Sequence, residues 1–366
     1  MSKIVSIATG VPEFKYHQDD ILLFANEIHS KNETDSRKLK FLYHQSGIST
    51  RYSVIPDYNL MMHERQFYPQ TKDLEPFPDL EKRMQWYDKN AGVLSAKTIA
   101  ACIHDKISVE EITHLITVSC TGMSAPGIDL EIMEAMNLSS NIFRTSVNFM
   151  GCYAAIHALK IANAICVSEP EANVVIVCTE LCTLHFQKEN SIDNITSTLL
   201  FADGCAAVLV QNNISNLKGL MLKSFFSDVS FRGKKDMSWQ LSSKGFLMTL
   251  SGYVPDLVRE DFNKLVNKAL DKASIKKEDI NYWCIHPGGK KILQCISQSL
   301  QLKNGDLCYS YDVLKDYGNM SSPTILFVLQ KILAEIELKN NNKKQTIFGA
   351  AFGPGLTMET FTAVYD

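Results

Sequence analysis

No stretch of this 366-residue sequence reaches the roughly 18 uncharged apolar residues that a membrane-spanning helix needs, so no membrane segment is expected. The opening residues, Met1 to Ala8, are too short an apolar run for a secretion signal and read as a first strand. No C-x-x-C pair occurs among the ten cysteines, and they scatter through apolar patterns. Neither a disulfide framework nor a metal site is expected from that spacing; buried free thiols in a reducing cytoplasm fit better. There is no excess of positive charge: the net charge is -3 and the pI is near 6.3, which argues against a nucleic-acid or anionic-membrane surface. Low-complexity tracts and Pro/Ser-rich linkers are missing as well, so nothing marks a flexible joint.

The sequence instead alternates short apolar runs with amphipathic stretches, the pattern of an α/β protein. Strands are expected over 4–8, 115–119, 174–178, 206–210, 282–285 and 346–350, and helices over 92–104, 152–167, 255–273 and 322–339. Residues 52–83, rich in Met, Pro, Tyr and charge, follow neither period and read as a loop-rich insertion. A faint duplication runs through the chain. Ile107-Ser-Val-Glu-Glu-Ile112 recurs in outline as Ile275-Lys-Lys-Glu-Asp-Ile280, 168 residues later. Gly151-Cys152, opening one apolar helix pattern, lies 167 residues before Gly318-Asn319, which opens another. The two matches predict similar halves, 1–212 and 213–366, packed so that Cys152 and Asn319 face each other from two helix starts.

Three glycine-flanked segments carry the chemistry: Met150-Gly151-Cys152-Tyr153, Ile285-His286-Pro287-Gly288-Gly289 and Tyr317-Gly318-Asn319-Met320-Ser321-Ser322. A cysteine at a helix N-terminus feels the positive end of the helix dipole, which favours the thiolate, and a neighbouring imidazole can accept its proton. An asparagine amide donates hydrogen bonds without titrating, so together with a histidine it can hold a developing oxyanion. Taken singly, His286 could cap a turn and Asn319 a helix.

These segments, with Phe201-Ala-Asp-Gly-Cys-Ala-Ala-Val208 and Phe352-Gly-Pro-Gly-Leu-Thr357, resemble the type III polyketide synthases, the chalcone-synthase-like branch of the thiolase superfamily. The resemblance spans residues 119 to 361 and is looser before them, where only Gly47-Ile48-Ser-Thr-Arg51-Tyr52 matches. It implies a homodimer with a five-layered αβαβα thiolase-like fold made of two pseudo-twofold-related halves. It implies that Cys152 takes an acyl group from a thioester, while His286 and Asn319 promote decarboxylation of malonyl-CoA and hold the enolate that attacks it. Iterated extension and closure to a pyrone, phenol or resorcinol would follow, with CoA thioesters as substrates and no further cofactor.

By the same resemblance Phe201 is a gatekeeper between a CoA tunnel and the cavity, Met248 falls at a second gatekeeping position, and Gly353-Pro354 with Ser321 shape the cavity wall. Cys120, Cys182 and His185 stand where the plant relatives line the cavity with threonines. Ala125, beside Pro126, replaces a methionine that in those relatives reaches into the partner subunit. Trp239 resembles the bacterial branch, and Lys38 is the surviving candidate for a CoA phosphate contact. Because few basic residues accompany Lys38, an acyl carrier protein is an alternative donor. A ketoacyl-ACP synthase III or a head-to-head acyl-CoA condensing enzyme would use the same three residues for a single condensation. A papain-like thiol hydrolase shares the Cys, His, Asn order but would show a Gln before the nucleophile and a Cys-Gly-x-Cys-Trp context, which are missing.

Overall fold

The structure is a computed structural model that describes residues 1–339 and 343–365. The first third of the chain gives β1 (Ser2–Gly10), β2 (Phe14–His17), α1 (Gln18–His29), α2 (Glu33–Gln45), β3 (Thr50–Ser53) and α3 (Leu80–Ile103). It continues through β4 (His114–Ser119), α4 (Ile128–Met136), β5 (Phe143–Asn148), α5 (Ala154–Ser168), β6 (Val174–Leu181), α6 (Ile192–Leu200) and β7 (Asp203–Asn212). Beyond these lie β8 (Leu220–Val229), the hairpin β9 (Met237–Ser242) and β10 (Gly245–Leu250), α7 (Val254–Ala273) and β11 (Tyr282–Ile285). The chain closes with α8 (Lys290–Ser299), α9 (Cys308–Tyr317), α10 (Thr324–Lys339), β12 (Gln345–Gly353) and β13 (Thr357–Tyr365).

Nine strands follow the order β11-β12-β13-β8-β1-β7-β6-β4-β5. The seam at β1 and β8 is narrow, only Lys3 opposite Met221 and Ile4 opposite Leu220, so two half-sheets diverge from one corner. Between them lie α5 and α10, each touching strands of both half-sheets, while α3 covers the far face of one and α7 the far face of the other. The result is the layering αβαβα. β6 shows why the sequence folds this way. Every residue of Val-Val-Ile-Val-Cys-Thr-Glu-Leu is buried. Val174, Ile176 and Cys178 face the α5/α10 core, and Val175 and Val177 face the α3 core. A strand covered on both faces loses the polar alternation of an exposed sheet. α10 is likewise buried without a break from Thr324 to Leu329, as a central-layer helix must be.

The expected strands and helices all form; the strands are as long as expected or longer, whereas α5 and α10 each start two residues later. The 92–104 pattern is only the end of α3, which starts at Leu80. Residues 52–83 do lack long regular elements, but Phe67, Tyr68 and Leu74 in them are fully buried. The Asp57 carboxylate orders that loop by accepting the backbone N–H groups of Gln66, Phe67 and Tyr68 at 2.8, 2.9 and 2.7 Å. The first duplicated segment gives a short turn before a strand twice, Val109–Glu111 before β4 and Lys277–Asp279 before β11. The second match is less symmetric than expected. Cys152 sits just before α5, whereas Met320, Ser321, Ser322 and Pro323 separate Asn319 from α10. Pro323 disfavours helical geometry at Ser322, which delays that helix. Among the described residues, Gly151–Ser168 is one stretch long and apolar enough to cross a membrane by composition, against the sequence expectation. It is the central-layer helix with its leading turn, and Lys160 on it pairs with Glu359 of β13.

Candidate active site

Cys152 owes its position to a forced backbone. β5 ends at Asn148, and Phe149 and Gly151 then take positive φ values of 57° and 76° before a short turn, Gly151–Tyr153, leads into α5. A side chain at Gly151 would be doubly penalised, because its Cβ would lie 2.3 Å from Pro354 Cδ. The Gly353-Pro354 turn presses back just as closely, with a Cβ at Gly353 falling 2.5 Å from the Tyr153 ring. Cys120 Sγ accepts the Gly151 N–H at 3.0 Å and completes the clamp. Gly151→Ala is therefore expected to cost about 1–2 kcal/mol from backbone strain alone, and more from the clash. Gly252→Ala, whose Cβ would meet nothing within 4 Å, should leave the melting temperature nearly unchanged.

His286 follows the last residue of β11, and its own N–H bonds Ala350 O at 2.9 Å, which continues the strand pairing by one residue. Gly289, with φ of 150°, then turns the chain into α8. His286 is 1% exposed, and its Nδ1 has no hydrogen-bond partner among the described residues. Asn319 follows Gly318, whose φ of 69° ends α9. Its backbone is stitched to the Phe201 segment, Asn319 N to Leu200 O and Ala202 N to Asn319 O, each at 2.9 Å. Its amide oxygen accepts the Ser321 N–H at 2.8 Å, which orients the NH2 group as the remaining donor.

All three side chains line one cavity with about 650 Å³ of atom-free space, its open mouth included. Cys152 Sγ lies 3.9 Å from Asn319 Oδ1. Met237, Leu250, Ile292 and Phe352 give the cavity apolar walls, and this sets the electrostatics. Burial pushes the Cys152 thiol up to about 12, against weaker lowering by hydrogen bonds from Ser321 and Asn319 and a further push from Glu180. Burial also lowers His286 to about 3. Burial thus favours the neutral form of both groups. Desolvation therefore opposes the thiolate that a helix start favours. Even so, Cys152 is the only partly accessible thiol at the site, Cys120 and Cys182 being buried.

A second cavity of about 520 Å³ adjoins the first, and Cys182, Phe201, Trp239 and Met248 line both. Phe201 and Met248 thus stand at a junction. Cys120, Ser321 and Pro354 line the first cavity, whereas Gly353 acts through its packing on Tyr153. His185 departs from expectation and lines only the second cavity. It behaves as a brace: Nε2–H donates to Thr121 O at 2.7 Å, Nδ1 accepts the Phe246 N–H at 3.1 Å, and the ring stacks on Phe246 at 4.3 Å. Trp239 stands edge-on to that pair and donates from Nε1 to Cys120 O at 2.6 Å, so the partition is fixed at both ends. Lys38 lies apart, exposed on α2 in a shallow depression with Arg37 and Phe41. Ala125 and Pro126 are exposed on a loop beside the edge strand β5.

Sequence reasoning missed Glu180. It is 0% exposed, and it accepts hydrogen bonds from Cys120 N–H, the Thr121 hydroxyl and the Ser322 hydroxyl at 2.9, 2.9 and 2.8 Å. The signal was available: a carboxylate inside an otherwise apolar strand pattern needs a reason. Among the described residues no group of three or more His, Cys, Asp or Glu side chains could hold a metal ion.

Comparison with known proteins gives a consistent answer. The model of the chalcone and stilbene synthase N-terminal domain matches residues 1–213, and that of the C-terminal domain matches residues 226–364. Type III polyketide synthase C of Arabidopsis thaliana is 27% identical over 98% of this chain and 94% of its own length. The alpha-pyrone synthesis polyketide synthase-like Pks18 of Mycobacterium tuberculosis is 28% identical over 97% of this chain and 89% of its own. Among solved structures, PKS-I from the brown alga Ectocarpus siliculosus superposes with a TM-score of 0.92 at 26% identity, covering 100% of this chain and 98% of that one.

Proposed function

This chain belongs to the chalcone and stilbene synthase family, and from that premise we propose that Cys152 carries the growing acyl chain while His286 and Asn319 generate the enolate that extends it. The enzyme is an acyltransferase of the type III polyketide synthase kind, performing iterative condensation and cyclisation. The observation that carries the residue roles is convergence: three side chains from separate glycine-bounded turns line one apolar cavity.

Acylation begins when the Cys152 thiol passes its proton to His286 as the sulfur attacks a thioester carbonyl. The two charges so formed attract strongly in a dry site, and the CoA thiol leaves with the proton. A malonyl thioester then enters. Loss of CO2 leaves the C–C bonding pair as an enolate, whose oxygen takes hydrogen bonds from Asn319 NH2 and a neutral His286 N–H. An imidazole lowered to about 3 stays a neutral donor across the working pH range. The enolate carbon attacks the Cys152 thioester, Cys152 leaves as thiolate, and the lengthened thioester can reload it. Closure to a pyrone, phenol or resorcinol ends the cycle.

Phe201 and Met248 act as gates between the cavities, and Trp239 sets how much of the second one the chain can use. Trp239→Ala is expected to merge the two spaces and to shift kcat/KM by about tenfold or more toward longer starters, read across a series of acyl-CoA lengths. Lys38 and Arg37 flank the exposed Phe41 on α2, a pairing suited to the phosphates and adenine of a CoA thioester. The turn after α2 supports this placement, since a Cβ at Gly47 would lie 3.2 Å from Lys290, at the start of the helix that follows the His286 turn. A homodimer through β5 and the Ala125-Pro126 loop is favoured by the exposed edge strand, where Phe143 is 66% exposed and Met123 nearby 52%. Residues 1–212 and 213–366 would then be the two related halves, in a cytoplasmic enzyme.

The test is incubation with malonyl-CoA and a ladder of acyl-CoA starters, with products identified by mass spectrometry. Products containing two or more malonyl-derived units support the reading. A single-condensation product from every starter would favour the one-step condensing enzyme instead.

A further inference from the structure

Helix α6 ends inside the protein at Leu199 and Leu200, where its last carbonyls must find protein partners. Ser197 O accepts the Phe201 N–H at 3.0 Å, and Leu200 O accepts the Asn319 N–H at 2.9 Å. Leu199 O accepts from Gln18 Nε2 at 3.0 Å. The remaining two, Thr198 O and Phe201 O, accept from Arg51 Nη1 at 2.6 and 2.5 Å. Arg51 is 2% exposed, and its hydrogen bonds among the described residues go to these carbonyls and to Gln18 Oε1, none to a carboxylate. A buried guanidinium needs negative charge facing it. The C-terminal end of α6 supplies that charge, as the negative pole of the helix dipole.

The rest of the Arg51 side chain reaches the oxyanion side of the site. A Cβ at Gly318 would lie 2.9 Å from Arg51 Cδ and 3.0 Å from Leu200 O. The arginine stem, the end of α6 and the glycine before Asn319 therefore pack as one unit. Phe201 and Asn319 bridge across that unit, with the Ala202 N–H bonding Asn319 O at 2.9 Å. Arg51 itself faces no reacting group: it lines the second cavity, whereas Cys152, His286 and Asn319 line the first.

We propose that Arg51 is a positioning residue that sets where Asn319 presents its amide NH2, by fixing the end of α6 against Gly318. The proposal rests on reading Asn319 as a hydrogen-bond donor to the enolate. Without Arg51, Thr198 O and Phe201 O lose their donors and the end of α6 must shift to find others. Leu200 O and Ala202 N–H move with it, and Asn319, bonded to both, follows. A displacement of about 1 Å at a catalytic group costs about 100-fold in rate. Cys152 is held instead by Gly151 against Pro354 and by Cys120, and His286 by Ala350 O, contacts that Arg51 does not share. Loss of Arg51 should therefore fall on one half-reaction.

The experiment measures two rates in wild type, Arg51→Lys and Arg51→Met: CO2 release from labelled malonyl-CoA, and acylation of Cys152 at saturating acyl-CoA by intact-protein mass spectrometry. Arg51→Met keeps the stem against Gly318 but no donor, and should lose decarboxylation by about 100-fold. Arg51→Lys keeps a cation for the α6 carbonyls but not the planar fork that also reaches Gln18, so it should fall between the two. Acylation should stay close to wild type in both. Equal losses in the two half-reactions would make Arg51 a general structural residue and overturn the proposal, as would undiminished decarboxylation. Should methionine prevent folding, the lysine variant decides by the same criteria, since it retains the buried cation. If Asn319→Asp leaves decarboxylation intact as well, the reading of Asn319 fails instead.

Discussion

A Cys152→Ala variant is expected to form no acyl-enzyme with any acyl-CoA and to lose ketide product by about 10³-fold or more. Neither neighbouring thiol can take over. Cys120 is 3% exposed, its sulfur is engaged by the Gly151 N–H, and burial pushes its thiol well above the ordinary range. Cys182 is 7% exposed and is raised by burial and by both Glu180 and Asp203. The loss should be chemical rather than structural. The turn is fixed by Gly151 against Pro354 and by Cys120 against the Gly151 backbone, contacts in which the Cys152 sulfur takes no part. An unchanged melting temperature beside a missing acyl adduct in intact-protein mass spectra is the expected pair of results. An adduct on the alanine variant would place the nucleophile elsewhere.

Asn319→Asp should separate the two half-reactions. The aspartate keeps one oxygen to accept the Ser321 N–H, so the loop stays in place. Its other oxygen replaces a donor with a negative charge where the enolate must form. Decarboxylation of malonyl-CoA is expected to fall by about 10²–10³-fold, the usual loss for one oxyanion donor, while acylation of Cys152 persists. Asn319 is 2% exposed, and a carboxyl buried there is raised in pKa. Once protonated it regains a donor, so the variant's residual activity should increase as pH falls, where wild type gains nothing from His286. Radiolabelled CO2 release measured against pH checks this. Equal loss of acylation and decarboxylation would instead assign Asn319 a general structural role.

Cys152, His286 and Asn319 were legible in the sequence because each lies within three residues of a glycine that the backbone requires, at φ values of 76° for Gly151, 150° for Gly289 and 69° for Gly318. The layered α/β fold was legible for a similarly local reason, since strands buried on both faces and central-layer helices write continuous apolar runs. The ionisation state was not. The helix start pointed to a thiolate, but the apolar walls that oppose it come from the β9–β10 hairpin, α8 and β12, far apart in sequence. The second cavity was hidden for the same reason: Ile21, Arg51, Asn194 and Trp239 meet only in the folded chain. His185 was read by position, and only the Thr121 carbonyl and the Phe246 N–H reveal it as a brace. Residues 52–83 are loop-rich as read, but the burial of aromatic rings such as Phe67 and Tyr68 was hidden because they follow no period.

The central claim is that one thiol carries a chain that grows by repeated condensation, and the peptide bearing Cys152 can report it. Wild-type enzyme quenched during turnover with an acyl-CoA starter and malonyl-CoA, then digested and analysed by mass spectrometry, should yield that peptide carrying the starter and the starter lengthened by successive two-carbon ketide units. A Cys152 peptide carrying only the starter, with lengthened chains found solely in solution or on another residue, would contradict the account.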